Sequence, residues 1–220
     1  MKKTMLIVGL TAAIAGGAQG AMITHSGSKA ITSTSWTENF SIPQFDEQGG
    51  NRLLESVKLT LNGAVEGDAN VESLNQGPST IQINLQATIT MTLMGDNLGV
   101  VIPVANETFE AGTFDGTIDF EGGSGEMFPD LAGTDSAMST LVGGVDDLTP
   151  FIGMGTVPLV ANAVGTSNGS GAGNLILQFM TDAGLDFEVE YTYRLVPTPG
   201  AAGVLAMAGC AGTLRRRRNK

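Results

Sequence analysis

The chain has 220 residues, 42% of them hydrophobic, with 22 Asp and Glu against 11 Lys and Arg. All of the acidic residues lie between Glu38 and Glu190, and the segment 21–195 holds only four basic residues, so its net charge is 4 − 22 = −18. A body this acidic repels nucleic acid and anionic membrane surfaces, which argues against a nucleic-acid partner. Its single cysteine, Cys210, lies near the C-terminus and excludes a disulfide framework or thiolate metal site in the body.

The first 20 residues have the three parts of a secretory signal peptide. Lys2 and Lys3 give a positive start, Met5–Ile14 is a short apolar run, and small residues follow at Ala18 and Gly20. We therefore predict a signal helix, export by the Sec machinery and cleavage after Gly20. The alternative, a buried N-terminal helix, does not explain this order of charge, apolar run and small residues.

The segment 21–195 has the pattern of a single β domain. From Ile81 to Leu93, apolar residues alternate with polar ones, which indicates a strand with one buried and one wet face. In this register the side chains of Ile83, Leu85 and Ile89 are predicted to face the core. Those of Gln82, Asn84 and Thr90 are predicted to face water. The only tryptophan, Trp36, is expected to pack in the core.

Other strands are predicted on the same grounds. Alternation also marks Val57–Leu61 and Leu185–Leu195; shorter strands are predicted at Ile31–Phe40, Leu98–Val104, Thr108–Phe120 and Leu175–Met180. Turns are predicted at Asn62-Gly63, Glu121–Gly125 and Ala163–Asn174. Many short antiparallel strands with one wet face predict an all-β, antiparallel β-sandwich of jelly-roll-like form.

Two motifs in the body carry a family resemblance. Ser41–Asp46 (SIPQFD) precedes Leu53–Gly63 (LLESVKLTLNG), and Val189–Tyr193 (VEYTY) closes the body. The arrangement resembles the choice-of-anchor E domain, in which a hairpin near the N-terminus opens the domain and a strand with two tyrosines closes it. The resemblance spans roughly Ile31–Arg194. It implies a surface domain with an interchangeable sorting tail and supplies no catalytic residues.

The body offers few groups for catalysis. Gly165–Gly169 matches the G-x-S-x-G nucleophile elbow around Ser167, but that elbow needs a histidine later in the chain, and the only one is His25. One histidine and no body cysteine also make a zinc site improbable. Carboxylates remain, at Asp146-Asp147, Glu188 with Glu190, and Asp115–Glu121. They could bind Ca²⁺ or serve a glycosidase, or they could simply keep the surface soluble.

The segment 196–220 has the features of a sorting and anchoring tail. It begins with a short motif of Pro197, Thr198, Pro199 and Gly200. An apolar stretch from Ala201 to Leu214 follows, and then a basic cluster of Arg215, Arg216, Arg217 and Arg218. As a helix the stretch would span roughly 22 Å, less than the ~30 Å hydrocarbon core, and the arginines would hold its end in the cytoplasm. This order resembles the PEP-CTERM tail, which is handled by exosortase, a membrane-embedded transpeptidase-like enzyme. Thr198 stands where that family usually has Glu, and a plain anchor that is never processed is the alternative.

These features together predict an exported, non-enzymatic protein of the cell surface or extracellular matrix. It would begin as an inner-membrane precursor and associate with exopolysaccharide, without a cofactor. The alternatives are a Ca²⁺-assisted carbohydrate-binding module and, third, a secreted carboxylate-based glycoside hydrolase. Several carboxylates at one end of the sandwich would favour the carbohydrate-binding module, and two carboxylates facing each other across a cleft would favour the hydrolase. Acidic residues scattered over the surface would favour the non-enzymatic surface protein.

Overall fold

A computed structural model describes residues 20–171 and 173–196. The described chain forms ten strands: β1 (Ala21–Ser33), β2 (Trp36–Pro43), β3 (Arg52–Ser73), β4 (Ser79–Leu93), β5 (Asp96–Val101), β6 (Val104–Ala111), β7 (Gly125–Val142), β8 (Thr156–Gly165), β9 (Asn168–Ser170) and β10 (Leu175–Leu195). Within these residues the only helix is a single 3-10 turn at Thr149–Phe151. The predicted signal helix and C-terminal hydrophobic helix lie outside the described residues.

The strands form two antiparallel sheets that pack as a sandwich. The first sheet has the order β1-β10-β3-β7, and the second has the order β2-β8-β4-β5, with β6 and β9 also paired to β4. β5 pairs with one half of β4 and β6 with the other half, so together they make one broken edge strand. If β5 with β6 and β8 with β9 are each counted as one interrupted strand, the eight strands have the order of two Greek keys, which is the jelly-roll arrangement. The predicted fold class is confirmed.

The core lies between the sheets, and β4 supplies its centre. Ile83, Leu85 and Ile89 are 0% exposed, as the alternation predicts. On the opposite face Gln82 is exposed, whereas Asn84 and Thr90 are half-buried beside neighbouring strands. The register of β4 is therefore confirmed.

The strands of the first sheet are longer than predicted, and the turn predicted at Asn62-Gly63 is wrong. Both residues lie inside β3, which runs for 22 residues. Gly63 occurs there for a packing reason: a Cβ at this position would lie 2.7 Å from Cγ2 of Val101 and 3.2 Å from Cδ1 of Ile89. The second sheet thus packs against the bare backbone of Gly63, and no reversal of the chain is involved.

Other predicted boundaries also change. The strand predicted at Ile31–Phe40 is two strands in different sheets, because the chain crosses between the sheets at residues 34–35. The strand predicted at Thr108–Phe120 ends at Ala111, and the one predicted at Leu98–Val104 breaks at residues 102–103. The strands predicted at Leu175–Met180 and Leu185–Leu195 are one strand, β10.

The predicted opening hairpin is also wrong, since β2 and β3 lie in different sheets and do not pair. The connection between them is fixed by an aromatic cluster. The ring of Phe45 lies 6.1 Å from that of Tyr191 and 5.1 Å from that of Tyr193, centroid to centroid, and Phe151 packs on Tyr191 at 6.2 Å. The motif residues therefore meet in the core and not across a hairpin.

The first sheet has two distinct ends. Ala21 pairs with Tyr193 at one end, so β1 begins where β10 is about to finish. At the other end Ser73 pairs with Leu175, and Glu72 pairs with Gly125. The described chain therefore starts and stops at the first end, which we call the proximal end. The second, distal end carries the loop of residues 112–124 between β6 and β7, here named the β6–β7 loop.

Trp36 is only partly in the core. It is half-buried against the core cluster, and its Nε1 donates a hydrogen bond to the carbonyl oxygen of Ala183 at 3.0 Å. The side chain therefore joins the two sheets, because Ala183 lies in β10 of the first sheet while Trp36 begins β2, an edge strand of the second.

Candidate functional site

The outer face of the first sheet is a broad polar surface across four strands. Its side chains come from matched positions whose neighbours along each strand point into the core. Three consecutive rows are Thr24–Glu190–Lys58–Thr140, Ser26–Glu188–Thr60–Met138 and Ser28–Asp186–Asn62–Ser136. We call these rows the polar face. Hydroxyl, amide and carboxylate groups make up most of it, and all three groups can hydrogen-bond to sugar hydroxyls.

The polar face is negatively charged and open. Asp186, Glu188 and Glu190 supply three carboxylates, and Lys58 supplies the single base, 3.1 Å from Oε1 of Glu190. Beside the row Asp186–Asn62–Ser136 the polar face has a depression of about 480 Å³, lined by Asn62, Gly63, Ala64, Thr134, Asp135, Ser136 and Asp186. Glu188 and Glu190 stand side by side on one strand and do not face each other across a cleft. A glycosidase pair needs the facing arrangement, so these two residues do not provide one.

A second depression of about 440 Å³ lies nearer the distal end of the same sheet. It is lined by Asp68, Asn70, Met127, Pro129, Gln178 and Met180. Nδ2 of Asn70 donates to Oε1 of Gln178 at 3.4 Å, so the two amides partly satisfy each other. The exposed methionines make this depression less polar than the rows beside it.

The Asp146-Asp147 pair borders a groove of about 270 Å³ beside the β4–β5 turn. Oδ2 of Asp146 accepts from the backbone N–H of Val142 at 2.8 Å, and Oδ1 of Asp147 accepts from that of Thr149 at 2.9 Å. Hydrogen bonds from the Thr149 side chain and backbone lower the pKa of Asp147. Both carboxylates therefore stabilise their own loop, which explains them without a ligand.

The Asp115–Glu121 segment forms part of the β6–β7 loop. Oδ1 of Asp115 accepts from the backbone N–H and the hydroxyl of Thr117, both at 2.9 Å, and these bonds lower the pKa of Asp115. Oδ1 of Asp119 accepts from the backbone N–H of Glu121 at 3.1 Å. Across residues 20–171 and 173–196, no three His, Cys, Asp or Glu side chains converge on one point as a metal-binding group.

A residue that the sequence does not single out lies beneath this loop. Glu72 is 0% exposed, although its position in β3 lies in line with Asp68 and Asn70 on the outer side of the sheet. Its Oε2 accepts from the backbone N–H of Phe120 at 2.8 Å. The alternation of β3 predicts a wet side chain at this position, and no local signal indicates burial, because the loop that covers it comes about 40 residues later.

The structure gives Ser167 no catalytic environment. Its Oγ accepts from the backbone N–H of Gln86 at 2.9 Å and lies 2.9 Å from the hydroxyl of Thr181, between β8 and β9. A nucleophile elbow needs a turn from strand to helix, and here the turn joins two strands. His25 pairs with Val189, eight positions (189 − 181) from Thr181 along β10, or roughly 26 Å.

Most of the predicted sorting residues lie outside the described residues. These are Ala18 of the cleavage site, Pro197, Thr198, Pro199 and Gly200 of the motif, and Arg215, Arg216, Arg217 and Arg218 of the membrane stop. Gly20 is described and directly precedes β1. Within the described part of the chain, no helix is long and apolar enough to span a bilayer.

Comparison with known proteins finds no close relative. No family model matches the chain, and no curated protein matches it. Among solved structures, a VP2 subviral particle of infectious bursal disease virus is 12% identical with a TM-score of 0.19, covering 97% of this chain and 54% of that one. The T13 particle of the same virus is 14% identical with a TM-score of 0.13, covering 90% and 45%. The chain thus spans about half the length of these structures, and TM-scores this low establish no relationship.

Proposed function

We propose that this chain is an exported, non-enzymatic protein of the cell surface or extracellular matrix, sorted by its C-terminal tail and associated with exopolysaccharide. The observation that carries the proposal is the polar face. Its hydroxyl, amide and carboxylate groups form successive rows across four strands. A long, open surface of this kind suits an extended polymer better than a small molecule, which needs a concave pocket.

The charge of the polar face selects among polymers. Three carboxylates against one lysine repel an anionic chain, so the expected partner is a neutral or amino-sugar polysaccharide. Large aromatic platforms are not part of the three rows, and binding would come from many weak hydrogen bonds. Such binding gains strength from the number of repeating units that the polymer presents to the face.

The proximal end supports the sorting part of the proposal. Ala21, the first residue after the expected cleavage, pairs with Tyr193, and the tail starts a few residues later. A signal peptide and a membrane tail would therefore attach at the same end of the sandwich. Both segments could be removed without breaking a strand. While the tail remained in the membrane, the polar face and the distal end would extend away from it.

Fractionation of the native host with mass spectrometry of both termini tests the sorting. We expect mature protein on the surface that starts at Ala21 and lacks residues 201–220, and a longer form in the inner membrane. A chain that still begins at Met1 would contradict export. Wild type that keeps its tail at the inner membrane, in a host that has an exosortase, would favour the plain anchor.

Two tail variants separate the motif from the membrane stop. Replacing Pro197 and Pro199 by Ala should trap the protein at the inner membrane, because the processing enzyme would lose its recognition motif. Deleting Arg215–Arg218 should instead release unprocessed protein to the periplasm or medium, since nothing would hold the apolar stretch. A proline variant that reached the surface with its tail removed as in wild type would exclude the sorting role of those prolines.

Sedimentation with exopolysaccharide purified from the host tests the polar face. A variant with Asn62→Ala, Ser136→Ala and Asp186→Asn should bind less than wild type, because all three side chains line the same depression of the polar face. The matched control carries Asn106→Ala and Glu107→Gln, two exposed residues of β6 in the other sheet. Equal binding by wild type and the polar-face variant would assign the polymer to another surface.

A further inference from the structure

The β6–β7 loop encloses the carboxylate of Glu72 at the distal end. The loop is tied to the neighbouring chain at several points: the N–H of Gly112 donates to the carbonyl of Gly123 at 2.6 Å, and that of Phe114 donates to the carbonyl of Asn75 at 2.9 Å. The N–H of Ser73 donates to the carbonyl of Ser124 at 2.8 Å. These bonds hold the loop over Glu72 and remove its side chain from water.

One oxygen of this carboxylate has no partner. Oε2 of Glu72 accepts from the N–H of Phe120, but Oε1 is buried and makes no hydrogen bond. Buried polar atoms are nearly always satisfied, and a buried charge is normally paired or bound to a metal ion. An unpartnered carboxylate oxygen in an enclosed site therefore indicates a group that the described protein atoms do not supply.

No basic side chain of the described residues can supply it. Lys29, Lys58 and Arg194 form ion pairs with Glu38, Glu190 and Glu55, and the guanidinium of Arg52 lies over the ring of Tyr193. Lys29 comes nearest in register: it is level with Gly63, nine positions (72 − 63) from Glu72, or roughly 30 Å along β3. Among the described residues, therefore, no side chain places a positive charge beside this oxygen.

One turn of the β6–β7 loop packs against both Glu72 and Asp115. The tight turn Phe120–Gly125 is closed by a hydrogen bond from the N–H of Gly125 to the carbonyl of Glu121 at 3.2 Å. A Cβ on Gly125 would lie 2.5 Å from Oε2 of Glu72, and a Cβ on Gly122 would lie 2.9 Å from Oδ2 of Asp115. Both carboxylates therefore touch this turn. Both hydrogen bonds from Thr117 go to Oδ1 of Asp115, and Oδ2 is the oxygen that faces Gly122 in the turn.

We propose that the distal end holds a structural calcium ion between Glu72 and the β6–β7 loop. Oε1 of Glu72 is the buried ligand, Oδ2 of Asp115 is a second one, and main-chain carbonyls of the turn with water complete the shell. Ca²⁺ accepts six to eight oxygen ligands in irregular geometry, including backbone carbonyls, whereas Mg²⁺ requires a strict octahedron. An irregular turn with two carboxylates therefore suits Ca²⁺. The ion would fix the loop and neutralise part of an acidic region, independently of polysaccharide binding or sorting.

Thermal unfolding of the purified full chain tests the proposal. The melting temperature in EDTA is compared with that in calcium through the range of roughly 0.1–1 mM, where extracellular calcium modules bind. We expect the melting temperature to rise with the logarithm of the calcium concentration, because a ligand of the folded state stabilises it by mass action. Magnesium at the same concentrations should give a smaller rise. Proteolysis within residues 112–124 should slow in calcium.

Glu72→Gln is the decisive variant. Its amide oxygen can still accept from the N–H of Phe120, but the negative charge is lost, so the affinity for calcium should fall at least about 10-fold. Glu66→Gln removes the same charge from an exposed position of the same strand and should respond to calcium as wild type does. Should Glu72→Gln fail to fold, Asp115→Asn leaves the buried residue intact and should also weaken the response.

Two outcomes would overturn the calcium site. One is a wild-type melting temperature that is the same in calcium and in EDTA. The other is an undiminished calcium response in folded Glu72→Gln or, if that variant does not fold, in Asp115→Asn. In either case the buried oxygen of Glu72 does not bind calcium.

Discussion

Glu72 and Gly125 stand opposite each other in the β3–β7 ladder, and the carboxylate of Glu72 occupies the space that a side chain at position 125 would need. A Cβ on Gly125 would also lie 2.6 Å from the backbone nitrogen of Glu121, so the turn passes directly over this glycine. The absence of a side chain at Gly125 therefore allows an acidic residue on the outer side of a sheet to be fully buried.

This contact predicts that Gly125→Ala is destabilising by about 1–3 kcal/mol, the usual cost of overpacking. The added methyl group must displace Glu72 or the backbone of the turn, and the backbone cannot move without losing the bond between Phe120 and Glu72. Urea unfolding measures the change. Gly123→Ala is the matched control in the same loop, because a Cβ there meets nothing within 4 Å and its stability should stay near that of wild type. Equal losses in the two variants would mean that the loop does not pack on Glu72.

A second prediction concerns the two faces of β4. Ile89→Asp should cost several kcal/mol, since Ile89 is 0% exposed and the new carboxylate would be desolvated without a partner. Thr90→Asp, one position further on the outer side, should change the stability little. Melting curves of the two variants, recorded at neutral pH, give the comparison. Equal shifts of the melting temperature would refute the observed register of β4.

A third prediction concerns alkaline pH and Tyr191. Burial raises the pKa of Tyr191 from 10.0 to about 12, and its hydroxyl donates to the carbonyl of Pro43 at 3.0 Å. The folded state thus keeps the phenol proton where the unfolded state loses it. The resulting stability is fully present below pH 10 and is lost as the pH rises through 12.

Denaturant unfolding at a series of alkaline pH values checks this for wild type and Tyr191→Phe. At neutral pH the variant should lose about 1 kcal/mol with the hydrogen bond. Above pH 10 its stability should fall less steeply than that of wild type, because the buried phenol is gone. Parallel curves for the two proteins would show that Tyr191 does not titrate in this range.

The sequence predicts the fold best where one face of a strand is fully dry. β4 is such a strand, and its alternation is visible over its whole length. β7 escapes prediction because several of its inward positions are small or polar, among them Gly133, Ala137 and Ser139, so the contrast between its faces is weak. Its place is fixed by pairing with β3, which is a long-range interaction that a local pattern does not contain.

The same reasoning explains the candidate sites. The outward rows of the polar face follow from alternation in β3 and β10, once the strands are known to be adjacent. The burial of Glu72 does not follow, because it depends on a distant loop folding back over an outward position. The Asp115–Glu121 segment could be singled out from its carboxylates, but the buried residue beneath it could not.

The last prediction concerns Asn62 and Gly63, where the sequence indicates a turn and the structure has a strand. In a turn, Asn62→Val would be destabilising, because β-branched residues fit turns poorly and strands well. In β3 the Asn62 side chain lies on the exposed polar face, so Asn62→Val should keep the stability within about 0.5 kcal/mol or raise it slightly. Gly63→Ala should cost about 1–3 kcal/mol, since the new Cβ would lie 2.7 Å from Cγ2 of Val101 and 3.3 Å from Cδ of Pro103.

Asn62→Val and Gly63→Ala therefore distinguish a strand from a turn at this position. Urea unfolding of both variants measures the change in the free energy of unfolding. Gly95 provides the reference for a true turn: its φ of +99° is left-handed and its Cβ would meet nothing within 4 Å, so Gly95→Ala is strained by the backbone alone. Combining Gly63→Ala with Val101→Ala should recover part of the loss relative to Val101→Ala alone, because the smaller side chain makes room for the new methyl group. The same combination built on Gly95 should show no such coupling. The outcome that would contradict the strand has two parts. Gly63→Ala would lose stability that Val101→Ala does not recover, and Asn62→Val would be destabilised; together these results would indicate a turn at this position.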